Sequence, residues 1–125
     1  MLLLLLLMSA DPRWNCAEPA AQQEMNYCAH QDYLKADTAL NAQWKKTSAF
    51  MQERDTDRNL VDDGRPGHFA SLLEAQRSWL KFRDAHCQVA GYLFRGGSME
   101  PLIVSTCKAR LTQERTEQLE FLIEQ

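Results

Sequence analysis

Apolar positions along this chain recur at steps of three and four, and the recurrence breaks twice. Met25, Ala29, Tyr33, Ala36, Leu40, Trp44, Thr47 and Met51 form the first series, with neither Gly nor Pro between Pro19 and about Arg54. That spacing is one face of a long helix. Pro19 suits a helical first turn, where its missing N–H costs nothing. Asp55 to His68 (DTDRNLVDDGRPGH) holds two glycines, a proline and mixed charge, and reads as a loop. A second helix is expected from about Phe69 to Phe94. Its inward stripe is Phe69, Leu73, Gln76, Leu80, Arg83, Cys87, Ala90 and Phe94, flanked by Leu72, Trp79 and Phe82. Gly96-Gly97 ends it, and Ser98 is the expected N-cap of a third helix that tolerates Pro101 in its first turn. The third series is Leu102, Val104, Cys107, Leu111, Arg115, Leu119 and Leu122. No stretch alternates as a strand does. The expected fold is all-α, a three-helix up-down-up bundle.

Register then places the chemistry. Cys28 lies about two turns into the first helix, Cys87 about two turns before the end of the second, and Cys107 about two turns into the third. All three fall near one end of the bundle, where the segment bearing Cys16 also enters. Two disulfides stapling that end are expected, and equal height leaves all three pairings open. The cysteines contain no CxxC pair and have no paired histidines nearby, so no metal site is expected.

Gln76, Arg83 and Arg115 interrupt stripes that should be apolar. An unpaired buried charge is too costly to keep, so these groups need partners. Counting from the cysteines, Asp37 and Arg115 share a level with Trp79. An Asp37–Arg115 ion pair with Asn41 and Gln76 completing its hydrogen bonds is therefore expected, and Arg83 is expected near Asp32 or Asp84. Such a group contains no nucleophile–base pair. His30, His68 and His86 share no HExxH motif, and no serine sits in a GxSxG turn. The chain is not expected to be an enzyme or to hold a cofactor.

Composition narrows the partners. The 125 residues suit one domain, and 14 Lys and Arg against 17 Asp and Glu give a net charge of -3. That balance disfavours nucleic acid as a partner. Met1 to Ala10 (MLLLLLLMSA) is too short to span a bilayer and reads as a signal peptide ahead of a single domain at 11–125. A periplasmic or secreted location follows, where four cysteines favour disulfides.

Several of these residues together resemble a known family. Cys28-Ala29, Ala36-Asp37 with Leu40-Asn41, and the run Ala75-Gln76, Trp79-Leu80, Phe82-Arg83-Asp84, Cys87 carry the likeness. So do Gly96-Gly97-Ser98, Cys107, and Thr112, Arg115 and Leu119. The chain is similar, over about residues 16 to 123, to the lysozyme-inhibitor LprI-like family of secreted bacterial proteins. The resemblance implies an exported helical domain with disulfides, named for a member that inhibits lysozyme. A structural or stress-related envelope interaction module without inhibitory activity is the alternative reading. Under the first reading, the expected contacts with a lysozyme or cell-wall hydrolase lie in the charged loop: Asp55, Asp57, Asp62 and Asp63 toward a basic surface, and Arg58 or Arg65 toward catalytic acids. The oligomeric state is not fixed by these features.

Overall fold

A computed structural model describes residues 14–124. The expected signal peptide, and with it the start of the single domain at residue 11, lies outside those residues. Three helices appear in order: α1 over Gln22–Arg54, α2 over His68–Gly91 and α3 over Glu100–Phe121. A single 3-10 turn, Tyr92–Phe94, extends α2. No strand occurs among the described residues.

The contacts between helices give their directions. Leu40 of α1, Leu72 near the start of α2 and Leu119 near the end of α3 form one buried cluster, with Trp44, Met51 and Trp79 against it. A second cluster near the other end joins Cys87, Cys107 and Leu111, with Trp79, Ala90 and Val104 around it. Trp79 touches both, so one indole ties the two halves of a small core together. The Thr47 hydroxyl donates to the Leu119 carbonyl at 2.9 Å, and the Asn26 side-chain amide donates to the Ser98 carbonyl at 2.9 Å. Early α1 thus meets early α3 and late α1 meets late α3. The helices run up, down and up.

Both disulfides form, and the open question of pairing is resolved. Cys16 bonds Cys28, folding the entering segment back onto α1, with Cα atoms 5.4 Å apart. Cys87 bonds Cys107, joining α2 to α3 with Cα atoms 5.5 Å apart. Trp14 packs edge-on against Tyr27 beside the first bridge, at 4.4 Å between centroids.

Three expectations need correction. The buried stripe of α2 is Leu72, Gln76, Arg83, Cys87 and Gly91, so the helix is rotated from the expected face. Leu80 and Phe82 lie on the outside, Phe82 being 54% exposed. The reason is close approach at the crosslinked end: a Cβ on Gly91 would stand 2.5 Å from Val104 Cγ2 of α3. Only glycine lets the helices come so near, and the adjoining disulfide fixes the same rotation. Ser98 is not the cap of α3. Met99 takes that position with no side-chain cap, and the Ser98 carbonyl accepts from Asn26. The Asp37–Arg115 pair is also replaced, as described next.

Candidate functional site

Two groups of polar side chains stand out: a seam between the helices, and the loop between α1 and α2. In the seam, Arg83 is 6% exposed. Its Nε donates to Asp84 Oδ1 at 3.0 Å, as the register suggested. Its Nη1 donates weakly to the Thr112 hydroxyl at 3.4 Å and lies 4.0 Å from Asp37 Oδ1. The guanidinium also sits over the rings of Tyr33 and Trp79, at 5.3 and 5.2 Å from their centroids. Planar, weakly hydrated arginine suits such stacking. Asp37 therefore faces Arg83, and its other oxygen accepts from Asn41 Nδ2 at 3.4 Å.

Arg115 finds neutral partners. Its Nε donates to Gln76 Oε1 at 2.8 Å and its Nη1 to Gln118 Oε1 at 3.1 Å. Its Nη2 is buried with no partner among the described residues. Burial lowers its pKa from the ordinary arginine value. Of the expected group, Gln76 does bond Arg115 and Asn41 does bond Asp37, but the carboxylate faces Arg83 and not Arg115.

The loop is built on Asp55. This residue ends α1, and its carboxylate accepts the first two N–H groups of α2, from His68 at 2.7 Å and Phe69 at 3.0 Å. It thus caps one helix from the end of another, satisfying donors that have no intrahelical partner. Gly67 makes room for it: a Cβ there would lie 2.9 Å from Asp55 Oδ1. The backbone bonds from Phe69 and His68 hold the Asp55 carboxyl below its ordinary 3.8. With a depressed folded-state pKa, the cap contributes fully above that ordinary value and is lost as pH falls through the folded one. An Asp55→Ala variant should therefore melt below the wild type at neutral pH, with the gap narrowing as pH falls below that ordinary value. Thermal denaturation across that range checks it; an equal gap at both ends would contradict it.

Elsewhere in the loop, Asp57 Oδ1 accepts from the Asn59 N–H at 2.9 Å. Asp63 accepts from the Arg65 backbone at 3.0 Å and from its Nε at 2.7 Å, and the Arg65 hydrogen bonds lower the Asp63 pKa. Arg58 and Asp62 make no ion pair or side-chain hydrogen bond among the described residues. They flank Leu60 and Val61, and Val61 is 83% exposed. Of the six loop residues singled out from sequence, Asp55, Asp57, Asp63 and Arg65 have local structural partners, while Arg58 and Asp62 present their charges outward. Nothing in the sequence marked the capping role of Asp55, because its partners lie 13 and 14 residues away.

No group of three or more His, Cys, Asp or Glu among the described residues is placed to hold a metal ion. No helix there is long and apolar enough to cross a membrane. The family model described as Lysozyme inhibitor LprI matches residues 15–119. An uncharacterized protein of Rhizobium meliloti (strain 1021) is 41% identical over 114 residues, covering 91% of this chain and 82% of that protein. No solved structure matches the chain.

Proposed function

The chain belongs to the lysozyme inhibitor LprI family, and from that premise we propose that it is an exported binding protein that blocks the cleft of a lysozyme or a related cell-wall hydrolase. The observation that carries this reading is the family match across residues 15–119, which includes the whole α1–α2 loop. The two disulfides fit an oxidising compartment, and the leucine-rich amino terminus is the proposed export signal.

The α1–α2 loop is the proposed contact. It is held at both ends by the Asp55 cap and internally by the Asp57 and Asp63 turns, so little entropy is lost when it docks. Arg58 carries an outward charge beside exposed Leu60 and Val61, a pairing of cation and apolar surface suited to a cleft that contains catalytic carboxylates. Asp62 faces a basic rim of the hydrolase in the same arrangement. Arg58→Glu should weaken inhibition of a sensitive lysozyme at least about tenfold while leaving the melting temperature unchanged. A titration of lysozyme activity against wild type and variant checks this. Equal inhibition by the two would remove the loop as the contact.

A further inference from the structure

The α1–α2 loop, the start of α2 and the end of α3 enclose a groove of about 750 Å³, a volume in the range of small-molecule sites. Met51, Leu60, Val61, Leu72 and Leu122 supply apolar wall, and Arg115 lies in the same lining. The other charges there are matched: Asp63 with Arg65, and His68 with the Asp55 carboxylate at 3.1 Å. Arg115 has no carboxylate within ion-pair distance among the described residues. Two neutral amides hold it, and its Nη2 has no acceptor there.

We propose that this groove binds a free fatty acid of about twelve carbons or more, with the acyl tail along the apolar wall and the carboxylate on the Arg115 guanidinium. This goes beyond hydrolase inhibition and does not depend on it. Gln76 fixes Nε and Nη2 is closed off from solvent, so the head group meets Nη1 first. Gln118 is exposed, and its amide is exchangeable for a better acceptor. A carboxylate taking its place accepts from Nη1, and a small turn of the guanidinium gives the unpartnered Nη2 the second oxygen, the two-pronged geometry that arginine offers and lysine lacks. One guanidinium balances one carboxylate charge. The tail is better matched than a peptide, because a peptide brings backbone donors and acceptors that need partners. The helical part of the wall, at Met51, Leu72 and Ala75, has its main chain already bonded to itself, and Pro66 in the loop part has no N–H to offer. Val61, exposed at the edge, gains cover when the tail docks.

Titration calorimetry on the oxidised full chain with laurate, kept below its micelle concentration, tests this. Saturable binding at one site is expected. Dodecyltrimethylammonium, which has the same tail and a cationic head, should bind at least about tenfold more weakly, and Arg115→Met should weaken laurate by a similar factor. Val61→Asp places a carboxylate at the edge on a surface residue and should also weaken laurate at least about tenfold, so the proposal stays testable if Arg115→Met fails to fold. Gln118→Ala should bind laurate at least as well as wild type. No saturable laurate binding would overturn the proposal, as would equal binding of the cationic analogue or wild-type affinity in Val61→Asp. Loss of lysozyme binding in the groove variants without any laurate binding would also overturn it, marking the groove as a protein interface.

Discussion

A Cys87→Ala/Cys107→Ala double variant should lose at least about 3 kcal/mol of stability, a large share of the roughly 5–15 kcal/mol typical of a domain. The bridge spans a sequence separation of 20 and connects two different helices, so breaking it frees a long loop in the unfolded chain. Its sulfurs also belong to a buried cluster with Leu111, Ala90 and Val104. Removing them deletes packing as well as the crosslink. The core elsewhere is small, built largely of alanines and three leucines, and has little reserve. Cys16–Cys28 closes a separation of 12 on an exposed entering segment. Its loss should cost less, because what it releases is Trp14 and its contact with Tyr27. Urea denaturation of both double variants checks the ordering. An unchanged midpoint without Cys87–Cys107 would contradict it.

Arg83→Ala should be the other costly change, at roughly 2–4 kcal/mol. The side chain fills space between Tyr33 on α1 and Trp79 on α2, and reaches Thr112 on α3. Truncation leaves a void among all three helices and strips both rings of their cation. The carboxylates it faces behave differently. Asp37 and Asp84 have side chains 38% and 57% exposed, so water takes over when either loses its partner. Asp37→Ala and Asp84→Ala should each cost no more than about 1 kcal/mol. The asymmetry identifies Arg83 as a packing element first and an ion-pair member second. Chemical denaturation of the three variants tests it, and equal losses for Arg83→Ala and Asp37→Ala would show that the charge pair dominates.

The sequence made the three helices, their order and the crosslinked end legible, because helical periodicity and the distance of each cysteine from its turn are local quantities. Polar residues inside apolar stripes also pointed correctly to a buried seam. Their pairing was not legible. Assigning Arg115 to Asp37 required the rotation of each helix about its own axis, and on α2 that rotation goes with the bare Cα of Gly91 against Val104. The α2 stripe held at Gln76, Arg83 and Cys87 and missed at Leu80 and, on its flank, Phe82, which are as apolar as core residues yet lie outward. In the loop, charge alone gave six equivalent candidates. The fold separates them, since Asp55 is committed to the first turn of α2 and Asp63 to Arg65, leaving Arg58 and Asp62 outward. The groove beside Arg115 was invisible in sequence, being assembled from three helices and a loop.

Turbidity loss of a cell-wall suspension by lysozyme, followed with increasing amounts of the purified oxidised protein, tests the proposed function most directly. The rate should fall saturably at micromolar concentrations or below, and the inhibition should weaken with Arg58→Glu. Undiminished lysis by lysozymes of several classes at micromolar inhibitor would contradict it.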